Sequence, residues 1–282
     1  MDIEPLLADS FAYAREALVG KWTRWAIFIL LALPFSLIQF VFDPEKIGDG
    51  MKMNWGAVPW GQVAVLALLG ILLSFFLSGY MVRIYRGTKP APDFSGWTEL
   101  FVDGVRLAVV WFLWVLPLFI ILAAGAAFAF AFYVASPGAA PNLTILGIVL
   151  LVLLVEFVLF VFVVLFGILG AVRFARTGSI REGIHASALL TTIRTMGWVS
   201  YLIALIVIAV VCVMYAIITA VLSAIPYIGW VLVMIVSPFF SIVMARYFTL
   251  VYEHGEEKAL PSTVPPEVPP VVPLDPTPAP GV

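Results

Sequence analysis

The chain has 282 residues, 63% of them hydrophobic and 11% charged, with a formal net charge of −2 at pH 7 and a mean hydropathy of +1.11. Soluble domains run near roughly 50% apolar and 25% charged, so water is not the main solvent of this polypeptide. The balance of charge supplies no global basic field for nucleic acid, and the single cysteine, Cys212, excludes an intrachain disulfide and argues against a thiolate metal centre.

In chain order, residues 1–24 read as an interfacial amphipathic helix, because Leu7, Phe11, Ala14 and Leu18 recur at helical spacing and form one apolar face. Six apolar runs follow, near 25–42, 61–82, 107–134, 144–172, 198–221 and 230–252. Each approaches or exceeds the roughly 20 residues that cross a hydrocarbon layer. Lipid offers backbone amides no partners outside the segment, so each run is expected to be a helix. Stretches such as ILGIVLLVLLV do not alternate polar with apolar, which excludes the strands of a transmembrane barrel. The sequence VFDPEK after the first run lacks a small-residue cleavage site, so that run reads as an uncleaved anchor. The last 22 residues hold nine prolines, and 253–282 is expected to be a disordered cytoplasmic tail, either an inert spacer or a docking segment.

Thirteen Lys and Arg residues flank one side of these runs, against two, Lys46 and Lys52, on the other. The positive-inside rule then places both termini in the cytoplasm of a multi-pass cell-membrane protein. Two further amphipathic segments lie on the same side. Phe94, Trp97, Phe101 and Val105 form one stripe, and a capping box at Ser179-Ile180-Arg181-Glu182 opens another that continues through Ile184, Leu189, Ile193 and Met196. Both are expected to lie on the inner membrane surface.

The predicted fold is therefore all-α, an integral membrane six-helix bundle over 25–252 built from three repeats of an amphipathic helix and a transmembrane hairpin. A shift of 83 positions brings Phe11 onto Phe94, Glu16 onto Glu99 and Pro34 onto Pro117. Spans two and four also end alike, in Arg83-Ile84-Tyr85-Arg86-Gly87 and Arg173-Phe174-Ala175-Arg176-Thr177-Gly178.

Gly79-Tyr80 at the end of a span, Arg83 and Arg86, Pro90 and Pro92, Asp93-Phe94, Trp97, and Phe101-Val102-Asp103-Gly104 before the next span make up a distinctive pattern. With Arg173 to Ser179 and Ile225-Pro226-Tyr227-Ile228-Gly229, it resembles domain of unknown function 4013, a family of archaeal and bacterial membrane proteins, from about residue 9 to 252. The resemblance implies an integral membrane protein, with an archaeal source expected, and brings no activity with it.

Glu156 stands alone near the middle of the run LLVLLVEFVLFVFVVLF. Intramembrane acids mark ion or proton paths, or they stay protonated and donate one hydrogen bond to a neighbouring span. Ser74, Tyr215 and Ser241 are its candidate partners. Pro34, Pro117 and Pro238 each free a backbone carbonyl, which produces a kink or a discontinuous helix. Ala123, Ala127 and Ala131, with Gly167 and Gly170, read as close-packing positions. Arg83, Arg86, Arg173 and Arg176 are candidates to hold anionic lipid headgroups, or they simply set orientation.

The sequence lacks G-x-x-x-x-G-K-[ST], H-E-x-x-H and G-x-S-x-G, and its two histidines, His185 and His254, complete no catalytic pattern. No enzyme activity, cofactor or metal is expected. The expected function is to organise lipid or a membrane partner complex through the surface helices. A transporter or channel subunit using Glu156 and the proline-kinked spans is the alternative, and an intramembrane lipid enzyme is a third reading. The expected partners are the bilayer and a membrane protein or further copies of this chain, with no nucleic acid.

Overall fold

A computed structural model describes residues 2–41, 54–135 and 143–259. The proline-rich tail from 260 onward, and Lys46 and Lys52, lie outside the described residues. Among the described residues there are nine α-helices and no strand: α1 Ile3–Leu18, α2 Trp22–Leu37, α3 Trp60–Tyr85, α4 Trp97–Ala135, α5 Leu143–Thr177, α6 Ile180–Gly183, α7 Ala186–Met196, α8 Trp198–Ser223 and α9 Gly229–Ala259. A 3-10 turn, Ile38–Phe40, extends α2. Six helices, α2, α3, α4, α5, α8 and α9, are long and apolar enough to cross a membrane. They coincide with the six runs read from the sequence, but α3 and α5 continue past the expected ends into the arginine-bearing segments, and α9 continues to Ala259.

The helices form hairpins α2–α3, α4–α5 and α8–α9, and α9 also packs on α1, α2, α3, α5 and α7. It is the central element: 44% of its most apolar stretch is buried, against 6% for α5. The packed core gathers at the arginine-rich end, where Val82, Leu107, Val172, Leu189, Tyr201 and Tyr247 form one cluster and Tyr13, Phe28, Tyr80, Leu100 and Val243 form a second. Towards the other end, Phe119, Phe130, Leu150, Leu154 and Ile217 point outward. Such surfaces suit lipid, whose tails are as apolar as leucine and leave no hydrophobic force to drive them inward.

α1 is rotated relative to the face read from Leu7, Phe11, Ala14 and Leu18. Ser10, Ala14, Ala17 and Leu18 are buried, whereas Phe11 is 43% exposed. Small side chains let α1 approach α9 closely and gain dispersion contact along both backbones. Phe11 keeps one ring contact, with Phe239 at 6.1 Å.

The stripe from Phe94 to Val105 does not make a separate surface helix. Residues 97–135 form one helix, α4, about 58 Å long at 1.5 Å per residue. Phe94 stacks on Tyr80 and Trp97, and Phe101 meets Phe75 and Phe76. These rings are taken up by α3, so the segment stands against that helix. The crossing is close because a Cβ on Gly79 would lie 1.9 Å from the Leu100 carbonyl oxygen, and one on Gly104 1.7 Å from that of Phe75.

At Ser179 the capping box does not close. The serine side chain caps nothing, and Glu182 turns instead to Arg173. Without that cap the helix stops after one turn and restarts as α7. Leu189, Ile193 and Met196 are buried as expected, but Ile184 is exposed. Helices run unbroken through Pro34, Pro117 and Pro238, so no discontinuous span arises at these positions. Ala123, Ala127 and Ala131 face outward, and the α4–α5 contact uses Gly125 against Val152 one step round the helix. Gly167 packs under Trp111, and Gly170 meets the Gly183 backbone.

Candidate functional site

The three returning spans α3, α5 and α9 carry related stretches, Val82-Arg83-Ile84-Tyr85-Arg86, Val172-Arg173-Phe174-Ala175-Arg176 and Ala245-Arg246-Tyr247-Phe248-Thr249. The first arginine of each meets an acid from the amphipathic segment of the next unit. Arg83 lies 3.7 Å from Glu99, Arg173 lies 2.6 Å from Glu182, and Arg246 lies 3.2 Å from Asp9. Asp9 belongs to α1, so the third pair runs from the last unit back to the first. The three pairs therefore close into a ring.

Inside that ring the second positions bind backbone. Arg86 Nε donates to the Ala175 carbonyl at 3.3 Å, and Arg176 Nε donates to the Tyr85 carbonyl at 2.8 Å. Each arginine thus reaches the residue preceding the other. The third member, Thr249, places its hydroxyl 3.3 Å from the Ile84 carbonyl and 2.8 Å from the Ala245 carbonyl of its own helix, and its single hydrogen serves one or the other. Carbonyls at a helix C-terminus have no intrahelical donor and carry the negative end of the helix dipole, so a guanidinium there satisfies both. Arg86 is also paired with Asp103 at 2.8 Å, and Arg176 with Glu253.

The members differ in weight. Glu99 is 82% exposed, and an exposed pair of this kind contributes about 0 to 1 kcal/mol. Arg246 is buried, with its guanidinium 5.1 Å above the Tyr13 ring. Asp9 receives it together with Lys89 at 2.9 Å. Burial pushes the Asp9 carboxyl up, but the hydrogen bonds and charges of Arg246 and Lys89 outweigh it and hold the group below the usual carboxylate value. The hydrogen bond from Arg173 does the same for Glu182. Burial raises the Tyr13 phenol, which remains a neutral donor to the Thr88 carbonyl at 2.9 Å.

Arg83, Arg86, Arg173 and Arg176, the arginines expected to hold headgroups, are therefore engaged inside the chain. Arg15, Arg106, Arg181 and Arg194 are exposed and Lys21 half-buried, and among the described residues none of the five has a carboxylate within 4.0 Å. All five lie on or beside the amphipathic segments. Asp9 and Arg246 escaped the sequence reading, which counted Arg246 only among the thirteen flanking cations. Aligning the three returning spans on Val-Arg, Val-Arg and Ala-Arg would have found it.

The intramembrane candidates do not converge. Ser74 donates to Ile71, Ser241 donates to Ser237, and Tyr215 bonds the Ser237 hydroxyl at 2.8 Å. Glu156 Oε1 is buried without a hydrogen-bond partner. It lies on α5 between Val152, which meets Gly125, and Phe162, which meets Trp114, so its stretch of α5 runs along α4. Helical serines reach carbonyls one turn back on their own helix, a bond that needs no distant acid. Cys212 lies against the Met244 sulfur at 3.9 Å.

Six lipid-length helices, a core confined to one end and an ion-paired closure among three hairpins define a polytopic α-helical membrane protein. The model of DUF4013, a protein family of unknown function, matches residues 63–249, and the chain belongs to that family. The match begins within α3, so α1 and α2 precede it. No curated protein and no solved structure matches the chain.

Proposed function

We propose that this protein is a non-catalytic membrane scaffold that gathers anionic lipid at its arginine-rich face, with that face and both termini in the cytoplasm. One observation carries the reading: the span-end arginines are neutralised within the chain, while five cations on the amphipathic segments are left without a carboxylate. Near an anionic leaflet each such cation contributes about 1 kcal/mol. The closed ring beneath them holds their spacing. Native mass spectrometry from bilayers with and without anionic phospholipid tests this directly. Replacing Arg15, Arg181 and Arg194 together by Gln should lower retained anionic lipid several-fold and leave thermal stability intact, whereas Arg173→Gln should do the reverse. Unchanged lipid retention in the triple variant overturns the proposal.

A second reading, a transporter or channel subunit, is favoured by the buried, unpartnered Glu156 Oε1. It requires proton-linked flux in reconstituted vesicles that Glu156→Gln abolishes. In the scaffold reading the same substitution is silent.

A further inference from the structure

Running inward from the end of the bundle remote from the arginine ring, α2, α3, α8 and α9 line a groove of about 280 Å³. A groove of similar size, about 250 Å³, lies between α4 and α5 and is lined by apolar residues throughout. The first is different in kind: Ser36, Gln39, Ser223, Ser237 and Ser241 all line it.

The four hydroxyls share one hydrogen-bonding sense. Ser36 donates to the Ala32 carbonyl, Ser223 to Ala220, Ser237 to Val233 and Ser241 to Ser237, at 3.5, 3.0, 2.6 and 3.0 Å. The Gln39 amide nitrogen donates to the Ser36 carbonyl at 2.9 Å. Each hydroxyl hydrogen is engaged with its own helix, which leaves lone pairs on Ser36, Ser223 and Ser241 and the Gln39 carbonyl oxygen as acceptors, beside the second N–H of the Gln39 amide. The Ser237 hydroxyl already accepts from Tyr215 at 2.8 Å. Pro238 has no N–H, so the carbonyl of Met234, another lining residue, loses its helical partner and joins them. The Trp230 indole, also at the groove, donates to Tyr227 at 3.0 Å. The complement of a surface rich in acceptors with one amide N–H is a group that donates and can also accept, as an O–H does. No charged side chain lines the groove, so an ammonium would lose its hydration with no counter-ion to offset it. The donor is therefore neutral.

Depth narrows the class further. Gln39, Ser223 and Trp230 lie at helix ends, and Ser241 lies about 16 Å further along α9 at 1.5 Å per residue. Phe28, Leu77 and Val233 supply apolar walls. We propose that this groove binds a neutral lipid alcohol, whose O–H donates to the acceptors on α9 and α2 while its hydrocarbon lies on those walls. The site shares no residue with the anionic-lipid face.

The experiment uses the full chain in bilayer nanodiscs with a diazirine-bearing long-chain alcohol, its methyl ether and its trimethylammonium analogue. The alcohol should label peptides covering residues 30–41 and 229–242 about fivefold more than the ether, the ratio one neutral hydrogen bond supports. Ala32→Leu, which fills the groove, should remove that labelling and leave labelling of α5 unchanged. If this variant does not fold, Ser241→Ala, whose hydroxyl bonds only its own helix, should reduce the alcohol-to-ether ratio. Equal labelling by alcohol and ether, stronger labelling by the ammonium, or labelling indifferent to both substitutions overturns the proposal.

Discussion

Asp9→Ala and Arg246→Met break the same ion pair, yet they are expected to differ in cost. The Arg246 side chain is 1% exposed and that of Asp9 34%. Asp9→Ala leaves a guanidinium inside the protein with the Tyr13 ring, 5.1 Å away, as its remaining electrostatic contact. Stranding a buried charge in this way costs about 3 to 5 kcal/mol. Arg246→Met leaves a carboxylate still bonded to Lys89 at 2.9 Å and in part reached by solvent. Methionine refills the apolar space, so the expected cost is about 2 kcal/mol, near one charge-assisted hydrogen bond. The readout is hydrogen exchange in α1, which is held by packing and by this pair and crosses no membrane. Exchange of residues 3–18 should accelerate at least about 150-fold in Asp9→Ala and about 30-fold in Arg246→Met, at tenfold per 1.4 kcal/mol. Equal acceleration, or the reverse order, would refute the reasoning that α1 neutralises a charge that nothing else can reach.

Acid should act on the same contacts. Asp9 and Glu182 are both held below their ordinary values of 3.8 and 4.5, so their stabilisation is present above those values and lost as pH falls through the lower folded ones. Protection of α1 and α6 should therefore fall together below about pH 4 and stay flat from neutrality upward as far as these two groups decide it; a midpoint near pH 7 would contradict this. Gly104→Ala forces a Cβ to within 1.7 Å of the Phe75 carbonyl oxygen and should cost about 3 kcal/mol or more by separating two helix backbones, as read by thermal unfolding. Arg86→Gln and Arg176→Gln should be non-additive in a double-mutant cycle, with a coupling of about 0.5 to 3 kcal/mol, because each side chain caps the helix that bears the other. Glu156→Leu should leave the protein at least as stable, since a central charge costs about 2.5 to 3.5 kcal/mol to insert; a marked loss would reveal a partner for the carboxyl.

The spans were legible because each follows from local composition. The threefold arrangement was legible in part, through Arg83-x-x-Arg86 and Arg173-x-x-Arg176. Arg246 escaped because its second partner position holds Thr249 and its acid lies 237 residues away. Pattern also misjudged the face of α1 and the setting of residues 94–105. It ranks residues by apolarity, but in lipid apolarity no longer decides which face turns inward. Close approach does, and that favours Ser10, Ala17, Gly79 and Gly104.

By itself, then, the sequence determined that this chain dissolves in a bilayer as six helices with its arginines at one edge. Lipid leaves a backbone amide no partner but its own segment, so hydrophobic length alone sets that outcome. Which arginines are latched and which are left without a carboxylate, and which serines gather in one groove, only the tertiary structure decided. Those properties belong to pairs of residues far apart in the chain, and a pair has no signature until the helices that carry it are packed.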